Sequence, residues 1–133
     1  MITTKARLLV GFSAIVLVGA ATIAAIVPKA VLSRRPVHEI RLVARDMAYY
    51  ADGKGAPNPT LTVARGEQVR IVLRNEDPGM IHDFAVPSWS AVTRRLAAGE
   101  ETVLQFNAPE QPGLGTYSCT PHGELMRGTI RVE

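Results

Sequence analysis

Gly115-Thr116-Tyr117-Ser118-Cys119-Thr120-Pro121-His122-Gly123-Glu124-Leu125-Met126-Arg127-Gly128-Thr129-Ile130-Arg131-Val132 is the stretch on which the reading of this chain turns. Thr116 to Cys119 is β-rich behind a Gly-rich approach, and Thr129 to Val132 is a second β-rich run. Pro121 and Gly123 punctuate the residues between them as a tight loop. The loop and its margins carry a thiol, an imidazole and a thioether in the spacing Cys-x2-His-x3-Met.

The same period-2 alternation extends upstream. Ile40, Leu42 and Ala44 alternate with Arg41, Val43 and Arg45, and Leu61 and Val63 alternate with Thr60, Thr62 and Ala64. After the Arg65-Gly66-Glu67 turn, Val69, Ile71 and Leu73 alternate with Arg70, Val72 and Arg74. His82, Phe84 and Val86 share one face of another short run, and Thr102 to Phe106 is β-rich. Turn residues separate the runs at Asp52-Gly53, Pro57-Asn58-Pro59, Asp77-Pro78-Gly79 and Pro109 to Gly115. Seven or so short strands at this spacing predict an all-β, antiparallel sandwich over residues 38–133. Residues 88–98 read either as a helix, with Trp89, Val92 and Leu96 on one face, or as an irregular strand. There is no internal repeat, phosphate-cradling loop or low-complexity tract.

The 133 residues are one domain's worth, with 47% hydrophobic and 20% charged residues. Cys119 is the one cysteine, which excludes an intramolecular disulfide and a four-cysteine metal site. The net charge of +3 comes from the first 35 residues, where Lys5, Arg7, Lys29, Arg34 and Arg35 meet no acid. The remainder is slightly acidic. With aromatics at 5%, it offers no electrostatic or stacking platform for nucleic acid.

Leu8 to Val27 carries no charge over 20 residues, and a helix of that length spans about 30 Å, the thickness of a bilayer's hydrocarbon core. Residues 1–28 are therefore expected to be one N-terminal transmembrane helix, a membrane anchor through residues 8–27, followed by a basic linker at 29–37. A cleaved signal peptide is the rival, because Thr22-Ile23-Ala24 offers small residues for processing. A buried core helix is disfavoured, since nothing else in the chain would surround it. Flanking basic residues on both sides leave the orientation open.

His82, Cys119, His122 and Met126 are the candidate metal ligands. Two imidazoles, a thiolate and a thioether are the donor set of a blue-copper electron-transfer site. Soft sulfur donors suit Cu(I), and imidazole serves both oxidation states. Three strong donors with a long axial thioether satisfy neither state fully, so little rearranges when an electron arrives. Pro121 stiffens the loop and removes one N–H that would otherwise reach the sulfur. Taken singly, each residue has a plainer reading: a buried small Cys, a satisfied His, a Met filling the core. Their joint spacing carries the assignment. Glu124 is a competing carboxylate ligand. His38 reads as an ordinary polar residue, Arg94-Arg95 as a solvated pair, and Phe84 and Trp89 as core. Met80, Pro121 and Leu125 read as an apolar rim around His122.

The segments Asn75 to Val86 and Gly115 to Val132 resemble the cupredoxins, the small blue copper proteins, with a ligand loop most similar to those of plastocyanin and amicyanin. The resemblance covers residues 38–133. It implies a Greek-key β-sandwich, one mononuclear type 1 copper, and one-electron transfer outside the cytoplasm. It implies equatorial His82, Cys119 and His122 with axial Met126, and redox partner proteins docking near His122 through a small apolar contact. The His-to-Met gap of three residues is one longer than in amicyanin and one shorter than in plastocyanin. Asp83 stands where the family often has Asn, and is expected to accept a hydrogen bond from the Thr120 region.

A membrane-tethered, non-enzymatic electron carrier, periplasmic or at the cell surface, is the leading expectation; with the N-terminal segment cleaved it would be a soluble secreted or periplasmic one. A copper-handling protein that delivers metal to an oxidase is the alternative, although the chain lacks a Met- or His-rich tract. A copper enzyme would need further histidines, and only His38 remains. A binuclear oxidase-type centre would need a second cysteine, although His82 to Pro87 is similar to that region of oxidase subunit II. A metal-free adhesion sandwich would leave the Cys119, His122 and Met126 spacing to coincidence.

Overall fold

The alternating runs become strands because each can bury one face. The computed structural model describes residues 36–133; the membrane segment expected at 8–27 and most of the basic linker lie outside the described residues. Among the described residues no helix is long and apolar enough to cross a membrane. The strands are β1 (His38–Arg45), β2 (Ala48–Ala51), β3 (Leu61–Val63), β4 (Gln68–Asn75), β5 (Ala85–Val86), β6 (Ala91–Val92), β7 (Glu101–Asn107), β8 (Gly113–Ser118) and β9 (Arg127–Val132).

They form two sheets, one in the order β2-β1-β4-β7 and one in the order β3-β9-β8-β5-β6. The expectation of an antiparallel sandwich needs correction, because the sheets are mixed. β1 runs parallel to β4, and β3 parallel to β9. Parallel neighbours cannot be joined by a hairpin. Between β1 and β4 the chain turns into β2, crosses to the other sheet as β3, and returns through the Arg65-Gly66-Glu67 turn. This crossing between sheets is the Greek-key feature of the sandwich.

Burial sets the register. In β4, Val69, Ile71 and Leu73 are fully buried while Arg70 and Arg74 face outward. A one-residue slip would bury the arginines and expose three side chains worth about 1.5–3 kcal/mol each. Leu42 and Ala44 from β1, Tyr117 from β8, and Ile130 and Val132 from β9 join the same core, with Phe84 and Val86. Phe84, Tyr49 and Tyr117 meet as a cluster, with ring centroids 5.3–6.0 Å apart. Trp89 packs against the core's edge beside Phe106, 5.6 Å away.

One local feature differs from the sequence expectations, and a second goes beyond them. Residues 88–98 are neither one helix nor one strand. Pro87–Trp89 is a single 3-10 turn, Ala91–Val92 is strand β6, and Leu96 bridges to His82. β1 and β2 are joined by a two-residue hairpin turn, Asp46-Met47, with both residues at positive φ (51° and 57°). Such a turn matches strand twist, but the left-handed conformation costs a non-glycine residue about 1–2 kcal/mol, so something must hold it.

Candidate metal centre

The centre sits where the β8–β9 loop meets the segment leading into β5. β8 ends at Ser118, and Cys119 is the next residue. The loop is closed by its own backbone. The His122 and Leu125 N–H groups donate to the Cys119 and His122 carbonyls at 3.2 and 3.0 Å. The Met126 N–H donates to the His122 carbonyl at 2.9 Å, and the Cys119 N–H to the Met126 carbonyl at 3.0 Å. Cys119, His122 and Met126 are thus fixed relative to one another by main-chain bonds. His82 is held on the opposite side by a reciprocal pair of bonds with Leu96, at 3.1 and 2.7 Å.

This scaffold brings three donor atoms together. Cys119 Sγ lies 3.7 Å from His82 Nδ1 and 3.6 Å from His122 Nδ1, and the two imidazole nitrogens are 3.2 Å apart. The point equidistant from the three atoms lies about 2 Å from each, the length of a metal–imidazole bond. Met126 is fully buried in the same core as Cys119. A trigonal set of two imidazole nitrogens and one cysteine sulfur suits copper. The donor set fits one type 1 copper ion.

The surroundings of the sulfur are explicit. Burial, with the Asp83 charge beside it, pushes the Cys119 thiol up, while the Asp83 and His122 N–H groups favour its thiolate. Bound copper would settle that balance, because a metal deprotonates a coordinating thiol outright. The Tyr49 hydroxyl donates to the Asp83 carbonyl. Burial, with the Cys119 and Asp83 charges beside it, holds that phenol far above its ordinary range, so it stays a donor.

The expected role of Asp83 is present: the Thr120 N–H donates to Asp83 Oδ1 at 2.6 Å. Glu124, the competing carboxylate, is 97% exposed and leans toward Arg127. It takes no part in the cluster. His38 pairs with Glu67 at 3.0 Å, far along the chain from the centre. Arg94 is paired with Glu100 in solvent, and Arg95 Nε reaches to 3.9 Å from the Asp83 carboxylate.

Three supporting residues were not read from the sequence. Asp77 contacts the far side of His82, with its Oδ2 2.9 Å from Nε2. Asn75, fully buried, donates from its amide to the Met80 and Leu96 carbonyls, each at 2.9 Å. Asn58 accepts the Tyr49 N–H and donates to the Leu125 carbonyl, both at 3.0 Å, which ties β2 to the metal loop. All three lie at turns or strand ends, where Asn and Asp read as turn formers.

A profile of the family described as copper binding proteins, plastocyanin/azurin family, matches residues 56–133. No curated protein matches the chain significantly in sequence. Among solved structures, auracyanin A, a blue copper protein from Chloroflexus aurantiacus, is 18% identical. The match covers 74% of this chain and 100% of that one, with a TM-score of 0.58. Rusticyanin from Thiobacillus ferrooxidans is 21% identical over 73% of this chain and 77% of its own, with a TM-score of 0.60. The periplasmic domain of cytochrome oxidase subunit II from Bradyrhizobium japonicum is 16% identical over 72% and 83%, with a TM-score of 0.53. At this identity the structural matches speak for the sandwich alone, and the family profile speaks for the metal chemistry. His82 and the loop that carries Cys119, His122 and Met126 fall inside the matched residues, and the chain belongs to the plastocyanin/azurin family of copper-binding proteins.

Proposed function

We propose that this protein is a membrane-tethered electron carrier in which His82, Cys119 and His122, with Met126 as the fourth ligand, would hold one copper ion. Bound copper supplies a one-electron Cu(I)/Cu(II) couple. The observation that carries the reading is the unequal burial of the four side chains. His82, Cys119 and Met126 have no exposed surface, whereas His122 is partly exposed. Electrons enter and leave through that imidazole edge, and the sandwich keeps water and other ligands from the remaining donors.

Leu125 is 63% exposed and Ile81 is 52% exposed, each next to a residue of the donor loop or segment. With exposed Pro121 they give redox partner proteins an apolar contact that binds briefly and releases. Residues 8–27 anchor the chain in the membrane, with the copper domain outside the cytoplasm. The tether raises the local concentration of carrier near membrane-bound partners.

The test is a Cu(II) titration of the full chain in mild detergent, read by absorption and EPR. One equivalent should give an intense visible charge-transfer band and a small copper hyperfine splitting. Cys119→Ser should abolish the band, because it requires a thiolate-to-copper transition. A pale product with an ordinary copper EPR signal, or copper held only as readily exchangeable Cu(I), would overturn the carrier assignment in favour of copper delivery.

A further inference from the structure

Asp77 stands five residues before His82 in the Asp77-Pro78-Gly79 turn, and its carboxylate is nearly enclosed, at 11% exposure. It receives three groups. Oδ1 faces the Asp46 N–H at 3.0 Å, and Oδ2 faces the Met47 N–H at 3.0 Å and His82 Nε2 at 2.9 Å. The Asp77 N–H donates to Asn75 Oδ1 at 2.9 Å, which fixes the carboxylate's own backbone. Both carboxylate oxygens accept main-chain N–H groups, an arrangement that favours the ionised form.

An ionised carboxylate only accepts hydrogen bonds. The contact at Oδ2 therefore puts the proton of His82 on Nε2 and leaves the lone pair on Nδ1. Nδ1 is the nitrogen that faces Cys119 Sγ and His122 Nδ1. The same carboxylate explains the strained hairpin turn, since the two N–H groups of Asp46 and Met47 have their partners here. A ligand imidazole, a charge and a turn are thus joined through one side chain.

We propose that Asp77 is a positioning residue for the copper centre: it holds His82 with Nδ1 free and aimed at the metal, and its negative charge tilts the centre toward Cu(II), with the Asp46-Met47 turn as its brace. A carboxylate behind a metal-bound imidazole makes that imidazole a stronger donor, and loss of such a partner costs about 10–100-fold in metal affinity. The higher-charged ion gains more from both effects. The inference rests on His82 holding copper as proposed above.

Two measurements on the full chain test it. The first is nitrogen-15 NMR of the copper-free and Cu(I) forms. His82 should be protonated at Nε2 in both, with a proton that exchanges slowly with water. Protonation at Nδ1 in the copper-free form would overturn the proposal, whatever metal the protein binds. The second is the reduction potential of Asp77→Asn. The variant should stay blue while its preference for Cu(II) over Cu(I) falls about tenfold, a rise of about 59 mV for a one-electron couple. A blue Asp77→Asn with the wild-type potential would also overturn it. If Asp77→Asn does not fold, the NMR result on the wild-type chain decides. A wild-type chain that takes up no copper would sink the copper assignment instead, leaving the tautomer result as a separate finding.

Discussion

Asp83 and Thr120 are joined across the metal centre by a 2.6 Å hydrogen bond from the Thr120 N–H to Asp83 Oδ1. The bond ties the segment that carries His82 to the loop that carries Cys119 and His122. The Asp83 side chain is only 4% exposed, and its nearest counter-charge, Arg95 Nε, is 3.9 Å away and largely in solvent. A poorly screened negative charge therefore lies beside the sulfur, where it favours the more highly charged copper ion. Asp83→Asn keeps an acceptor for Thr120 and removes the charge. Its potential should rise by about 59 mV, a tenfold change in preference. Asp83→Ala also strands the Thr120 N–H, and should lose about 1–3 kcal/mol in chemical denaturation. Equal potentials in wild type and Asp83→Asn would mean that Asp83 acts as a tie only.

Met126 is fully buried, so burial alone does not separate a ligand from core filler. Met126→Leu does, because the exchange conserves volume and should cost less than about 1.5 kcal/mol in stability. The thiolate and both imidazoles remain, so the intense absorption should persist. Without its fourth electron-pair donor the higher-charged Cu(II) loses more than Cu(I), and the potential measured by voltammetry should rise by about 59 mV or more. A potential equal to that of the wild type would assign Met126 to the core.

The parts of this molecule legible in its sequence are those decided by near neighbours. The β8–β9 loop could be read because Pro121 and Gly123 break the strands, while Cys119, His122 and Met126 lie within eight residues. β1 and β4 could be read because one face of each is buried. The parallel pairings could not, since nothing local distinguishes Leu42 beside Leu73 from Leu42 in an antiparallel pair. β2 is not legible because Ala48-Tyr49-Tyr50-Ala51 is too short to alternate. Trp89, Val92 and Leu96 imitate a helical face through spacing alone, although Pro87 starts a 3-10 turn and Leu96 answers His82. Asp77 was hidden for a different reason: Asp-Pro-Gly is good turn chemistry, and its second task depends on a hairpin some thirty residues away.

Gly128 sits opposite Tyr117 in the β8–β9 pairing, and a side chain there would run into the tyrosine ring. The ring has nowhere to go. Its hydroxyl donates to the Pro59 carbonyl at 2.6 Å, and its face stacks on Phe84. Gly128→Ala should therefore cost about 1–3 kcal/mol as an overpacked core position. Gly115→Ala is the control on the same pair of strands. Its added carbon would meet the Ile130 methyl at 3.1 Å, which side-chain movement relieves. The loss at 115 should be the smaller of the two, measured by urea denaturation of the copper-free proteins. Equal losses would mean that the Tyr117 ring moves aside.

Glu67 gives the domain a pH dependence away from the metal. Its carboxylate accepts the Ala64 N–H at 2.8 Å and pairs with His38 Nδ1 at 3.0 Å, while its own N–H donates to the Ala64 carbonyl. The turn into β4 is thus closed on both sides, and the Glu110 carboxylate lies over Gly66 in the same turn. Partial burial works upward on the Glu67 carboxyl, but the Ala64 and His38 contacts outweigh it and hold it below the usual range. A carboxyl depressed on folding stabilises the protein above its unfolded value, about 4.3 for glutamate, and that contribution fades as pH falls through the folded value. Because the site is partly exposed, Glu67→Gln should cost only about 0.5–1 kcal/mol near neutral pH. The gap between wild type and variant should close as pH drops below about 4. Urea denaturation of the copper-free pair from about pH 7 to about pH 3 reads this directly. A gap that stays constant across that range would assign the loss to packing in the turn and not to the carboxylate's charge.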